Sequence, residues 1–195
     1  KLGPSPAIVT YYEASWTSEV SGPTRVEVDD GDEPLFVTDW HEGTDVLHVP
    51  LLGVWPSHTF TARLVDEDGG LIARKTFTTE AGPTDLSGMT VSGESTWTGY
   101  LLSEIATADV QTVMILAPNG QPVWYWQLTG NYVARTLLRR DGRGVWVLGM
   151  PGFTLGIRGG IGSVAWAGTV LLYITPVGHD GEGATHDILE LEDGR

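Results

Sequence analysis

The sequence predicts an all-β protein: a small N-terminal β-sandwich followed by the first blades of a β-propeller. Three observations predict it. Between residues 7 and 80, short runs rich in β-branched and aromatic residues alternate with Gly, Pro and acidic turns, and helical periodicity is absent. Residues 119–126, Asn-Gly-Gln-Pro-Val-Trp-Tyr-Trp, return about 50 residues later as Ala-Gly-Thr-Val-Leu-Leu-Tyr-Ile at 167–174. The stretch Leu137–Arg143, closing on Asp-Gly-Arg, is matched at a similar offset by Leu189–Arg195, which closes the same way. A period of roughly 40–50 residues, with a glycine turn and an aromatic strand in each unit, is the signature of propeller blades.

The elements follow in order. Residues 1–6, Lys-Leu-Gly-Pro-Ser-Pro, read as a stiff leader. Ala7–Trp16 is the first strand. Thr24–Val28 alternates, with Val26 and Val28 on one face, and Asp29–Pro34 turns the chain. Leu35–Thr38 and Asp45–Val49 are short strands, the second leading into Leu51–Pro56. Thr59–Val65 alternates again, placing Phe60, Ala62 and Leu64 together. Asp66–Gly70 is a hairpin turn, and Leu71–Thr79 returns. Glu80–Thr84 is a linker, which divides the chain into a sandwich over 1–83 and a partial propeller over 84–195.

In the second part, strands are expected at Gly99–Ile105, Val110–Ala117, Val123–Leu128, Tyr132–Leu138 and Val145–Leu148. The next blade begins with Ser163–Trp166, Val170–Ile174 and Ile188–Leu191. Gly149–Gly162 carries many glycines and reads as a loop. A ring needs about four to eight blades, and residues 84–195 supply one to two. A second polypeptide, or residues missing from the sequence in hand, is therefore expected to complete the ring, and this chain by itself is expected to be inactive. Trp124, Tyr125 and Trp126 are assigned to packing rather than to a stacking platform, because neighbours on a strand face opposite ways.

Composition bounds the function. The net charge of −14 leaves no basic stripe to displace counterions, which argues against nucleic acid and anionic membrane as partners. No run approaches the ~18 apolar residues of a membrane span. With no cysteine there is no disulfide, thiolate metal site or cysteine nucleophile. The only concentration of positive charge is Arg135, Arg139, Arg140, Arg143 and Arg158. Asp29, Asp30, Asp32 and Glu33 are acidic but lack the register of a Ca²⁺ loop, and they read as a polar hairpin tip. His179, Asp180, Glu182, His186 and Asp187 form a cluster whose spacing matches no strong metal motif. No metal or cofactor is assigned. Gly156–Gly162 lacks the Lys-Ser/Thr ending of a phosphate loop.

The run Leu52-Gly53, Pro56, Thr59–Leu64 and Phe77-Thr78-Thr79 resembles a fibronectin type III module over residues 7–80. Phe60 stands where that family usually carries Tyr. Together the two halves resemble bacterial arylsulfate sulfotransferases, which place a β-sandwich before a six-bladed propeller. The residues that carry this are Val113–Trp126, a strand-turn-strand through Pro118-Asn119-Gly120, and Thr185-His186-Asp187 running on to Gly194.

The resemblance implies sulfuryl transfer between phenols through a histidine in the propeller funnel, without a nucleotide. It also implies an aryl sulfate and a phenol as small-molecule partners and, more weakly, a periplasmic or extracellular location. His186 matches a funnel His-Asp and is the candidate catalytic residue, as a sulfuryl contact or as the nucleophile. Asp187 and Arg135 are the candidate binding residues. Imidazole suits the chemistry because it is a neutral nucleophile near pH 7, and cationic donors stabilise charge spreading over the sulfuryl oxygens. The structural alternative for His186 is a loop histidine bonded to Asp187 or to backbone. The functional alternative is a non-catalytic secreted or surface binding protein, since propellers also serve as docking platforms. A quinone-dependent dehydrogenase would repeat a tryptophan motif in each blade, whereas Leu172 stands where the first unit has Trp124.

Overall fold

The computed structural model describes residues 2–4, 8–16, 22–31, 34–42, 47–87, 89, 98–107, 110–129, 131–151 and 160–174. It is an all-β protein built from several antiparallel sheets, none of them closed, with a single short helix among the described residues. Two compact units divide the chain. The first is Lys1–Gly93 with Gln121–Trp124, and the second is Glu94–Gly120 with Tyr125–Arg195.

Among the described residues, the Lys1–Gly93 part of the first unit contains seven strands: β1 (Leu2–Pro4), β2 (Tyr12–Trp16), β3 (Thr24–Asp29), β4 (Pro34–Val37), β5 (Leu47–Leu51), β6 (Thr59–Asp66) and β7 (Leu71–Thr78). They form a three-stranded sheet of order β1-β2-β5 and a four-stranded sheet of order β4-β3-β6-β7. Alternation decides what each sheet buries. Tyr12 and Ala14 of β2 and Leu51 of β5 share one core with Val26 and Val28 of β3 and with Phe60, Ala62 and Leu64 of β6. The two sheets therefore pack across a common apolar layer. Its centre is aromatic: Phe60 lies 5.0 Å from Trp55 and 5.8 Å from Phe77, ring centre to ring centre, and Tyr12 lies 4.6 Å from Phe77.

The approach to β6 is pinned by one hydroxyl. Thr79 is buried, and its Oγ1 donates to the Trp55 carbonyl at 2.7 Å while accepting the His58 N–H at 3.0 Å. The Ser57 N–H donates to the Glu80 carbonyl at 3.0 Å, closing the same turn. Ser57 adopts φ 55°, the left-handed region where a side chain costs energy, so these bonds hold a strained corner in place.

Two expectations for this part need correction. Residues 2–4 are not a leader. They form β1, with Leu2 opposite Ala14 and Pro4 opposite Tyr12. An edge strand tolerates proline because one side of its backbone has no ladder partner to serve. The run 7–16 is not one strand. Ile8–Tyr11 is a turn closed by the Tyr11 N–H on the Ile8 carbonyl at 3.0 Å, and the strand begins at Tyr12.

The four-residue helix α1 (Thr84–Ser87) follows, starting at the last residue of the expected linker 80–84. The second part of the chain holds β8 (Leu101–Ala106), β9 (Val110–Leu116), β10 (Pro122–Thr129), β11 (Asn131–Leu138), β12 (Gly144–Pro151), β13 (Gly160–Ala165) and β14 (Val170–Ile174). Their sheets have the orders β10-β9-β8 and β11-β12-β13-β14. In both, strands adjacent in sequence are adjacent in space, and short glycine turns join β9 to β10, β11 to β12 and β13 to β14. Gly120, Gly142 and Gly168 all take positive φ in these turns.

The glycine-rich stretch 149–162 is not all loop. Gly149 and Gly160 are ladder partners of β12 and β13, which leaves only 152–159 outside the described residues. Glycine lowers strand propensity, but its backbone donates and accepts as any other does once two neighbouring strands fix it. Trp124 and Tyr125 are both buried, so β10 is covered on both faces. Among the described residues, no helix is long and apolar enough to cross a membrane.

Candidate functional site

His186 and Asp187 lie outside the described residues, as do His179, Asp180, Glu182, Arg158, Asp32 and Glu33. Arg135 is described. It sits on β11 opposite Leu148, immediately after an irregularity in the β11–β12 ladder, and it is exposed. A bulge of this kind turns a side chain away from strict alternation. Arg140 and Arg143 are exposed in the β11–β12 turn. The structure thus brings Arg135, Arg139, Arg140 and Arg143 along one strand and its turn.

Arg139 is held from several sides. The Arg139 N–H donates to the Gly144 carbonyl at 3.0 Å, and the Gly142 N–H donates back to the Arg139 carbonyl at 3.0 Å. The Asp141 carboxylate accepts from Arg139 Nε at 3.0 Å and also from Nη2, a bidentate pair. It also accepts the Arg143 N–H at 2.9 Å. Arg139 Nη1 donates to the fully buried Ser163 Oγ on β13. The guanidinium lies 5.5 Å from the Trp146 ring centre. Trp166 Nε1 donates to the Gly142 carbonyl at 2.7 Å.

These bonds, led by the Arg139 side chain, hold the Asp141 carboxyl below its ordinary range. Most of the Arg139 donor fork is committed inside the protein. This residue organises three strands and their turn rather than offering itself to an anion.

Ion pairs in the first unit are likewise local. Glu27 takes Arg25 at 2.6 Å and Arg63 at 3.5 Å, and Arg63 Nε lies 3.2 Å from Asp29 Oδ2. That last contact is within ion-pairing distance, but its alignment falls short of a hydrogen bond. Asp29 Oδ1 accepts the Gly31 N–H at 3.2 Å, so the acidic tip uses this carboxylate to shape its own turn. Among the described residues, no group of three His, Asp or Glu side chains is placed to hold a metal ion. Tyr11 is no base near neutral pH: burial foremost, with the Glu13 carboxylate beside it, pushes its hydroxyl up to about 12.

Sequence reasoning missed two arrangements. One is the Arg139–Asp141–Ser163 clamp. Its Arg-x-Asp-Gly turn is visible in the chain, but Ser163 joins it only through the β12–β13 ladder. The other is a cavity of about 260 Å³ in the first unit, lined by residues of β1, β2, β3, β6 and β7. Only pairing and layering bring those strands together. Compared with known proteins, the chain matches no family model and no curated protein.

Proposed function

We propose that this protein is part of a nucleotide-independent aryl sulfate sulfotransferase-like propeller, which moves a sulfuryl group from one phenol to another through a funnel histidine. Lettered in chain order as A, B, C, C′, E, F and G, the strands of the first unit partition into ABE and C′CFG. That is the partition of a fibronectin type III module, and it supports reading the first unit as such a sandwich. The consecutive meander β11-β12-β13-β14 has the strand count and connectivity of one propeller blade. The observation that carries the functional reading is this order: a sandwich, then a four-stranded meander, then Thr185-His186-Asp187 in the sequence beyond it.

The chemistry is a double displacement. An imidazole nitrogen attacks sulfur, the bond from sulfur to the aryl oxygen breaks, and the donor leaves as phenolate. The acceptor phenol then gives its proton to a base and attacks the same sulfur, and the nitrogen–sulfur bond breaks to regenerate the imidazole. In this scheme His186 contacts the sulfuryl oxygens, Asp187 orients its ring, and Arg135 adds positive charge. Negative charge developing on the leaving oxygen and the sulfuryl group is what such donors stabilise.

The test is release of 4-nitrophenolate from 4-nitrophenyl sulfate by the natively isolated protein, with and without phenol. Phenol-stimulated release, falling about 100-fold or more in His186→Ala with the fold intact, is the expected result. Wild-type turnover in that variant removes His186 from the site. Absence of phenol-stimulated release in the native protein overturns the transferase reading and leaves a binding propeller in its place.

A further inference from the structure

The core of the first unit is unevenly filled. At one end the Phe77 ring packs against both Tyr12 and Phe60, with ring centres 4.6 and 5.8 Å away. At the other end both sheets present small side chains. Ala14 of β2 faces the region from one sheet, and Ala62 and Ala73 face it from the other. Sandwich layers stand ~10 Å apart, a separation set by large side chains meeting in the middle. Alanines on both faces cannot span it. The result is the 260 Å³ cavity, with Trp16 as its one aromatic wall.

One charged side chain reaches this space from the inner face. Lys75 is paired with Ala62 across β6 and β7, so it shares the face of that core residue. Its Nζ donates to the Leu2 carbonyl on β1 at 3.2 Å, spanning from one sheet's edge to the other's. An ammonium has three donors, and the described residues take one. Arg63 and Arg74 also border the cavity, but they alternate to the opposite face of their strands. Among the described residues no carboxylate lines it.

We propose that this cavity binds a small aryl carboxylate, with its ring between the alanines and Trp16 and its carboxylate on Lys75. Size sets the scale. An apolar cavity of ~150 Å³ holds benzene, so 260 Å³, open at the rim formed by Ala73 and Lys75, admits a fused two-ring system. Charge sets the head group. An apolar space reached by the Lys75 ammonium, with no acid among its described lining residues, selects an anion over a cation. This site is in the first unit and is independent of the sulfuryl-transfer reading.

The probe is 1-naphthoate, titrated into the ¹⁵N-labelled protein by NMR and into unlabelled protein by calorimetry. The expected dissociation constant is on the order of 0.1–1 mM for a ligand of this size. Amide shifts should concentrate at Ala14, Ala62 and Ala73. Lys75→Met should weaken naphthoate binding about tenfold or more, and Ala62→Leu, which fills the gap, should abolish it. If Ala62→Leu fails to fold, Ala73→Leu on the exposed rim makes the same test. 1-Naphthylmethylammonium should bind at least tenfold more weakly than naphthoate. Shifts elsewhere, equal binding by Lys75→Met, equal binding by the ammonium probe, or no binding at all would each overturn the proposal.

Discussion

Phe60→Ala is expected to destabilise the first unit by about 3–5 kcal/mol, the range for removing a buried aromatic ring. Phe60 is 1% exposed, and its ring meets Trp55, His58 and Phe77 at centre distances of 5.0, 4.9 and 5.8 Å. Few of these neighbours can close the gap. Trp55 and His58 sit in the turn held by Thr79, and Phe77 is fixed opposite Phe60 by the β6–β7 ladder. The cost should therefore fall in the upper part of the range, since relaxation is what lowers it. Urea unfolding followed by tryptophan fluorescence measures it. Phe60→Leu should recover more than half of the loss, because it restores most of the buried volume. A loss under about 1 kcal/mol in Phe60→Ala would mean that the ring is not central to that core.

Gly144→Ala is expected to cost at least about 3 kcal/mol in the second unit, through two effects acting together. Gly144 has φ 155°, in the region that side chains rarely adopt. A Cβ there would also overlap the Val164 carbonyl oxygen and lie 2.9 Å from its carbonyl carbon. Both atoms belong to backbone in β13, paired with β12 at Gly144–Ala165 and Val145–Val164, so neither can swing away. Gly142, two residues earlier in the same turn, is the internal control. Its φ is 67°, but a Cβ would meet nothing within 4 Å. Gly142→Ala should cost only the left-handed penalty of about 1–2 kcal/mol. Thermal unfolding of the two variants side by side separates strain from collision. Equal losses would show that the β12–β13 register differs from the one described.

The strands most legible in the sequence were those whose alternation fixed their burial before any partner was known. Val26 and Val28 on β3, and Phe60, Ala62 and Leu64 on β6, fall on the core face as their period of two requires. The hairpin at Asp66–Gly70 was legible because Gly69, at φ 80°, supplies a conformation that few other residues take cheaply. What stayed hidden was set by partners distant in sequence. β1 contains glycine and proline and is a strand only because β2 lies beside it. Gly149 and Gly160 are extended for the same reason. Ser163 becomes a ligand of the Arg139 side chain through a ladder, not through any motif.

The candidate site was less legible than the fold. Arg135, Arg139, Arg140 and Arg143 read alike as a cationic run. Their separate fates follow from which of them faces Asp141 and Ser163, and a strand and its turn decide that only after folding. The alanines that open the cavity are also silent in the sequence. Ala14, Ala62 and Ala73 look like ordinary small strand residues until two sheets place them across one gap.

We propose that the meander β11–β14 is one blade of a closed ring. Val170 and Leu171 on β14 are 49% and 54% exposed, and among the described residues nothing pairs with the outer side of that strand. A strand edge left unpaired is a template for a neighbouring strand. Mass measured under native and then denaturing conditions tests this most directly. A native species heavier than 21.0 kDa is expected, which denaturant separates into this chain and the partner completing its ring. A stable, well-behaved monomer of 21.0 kDa would contradict it.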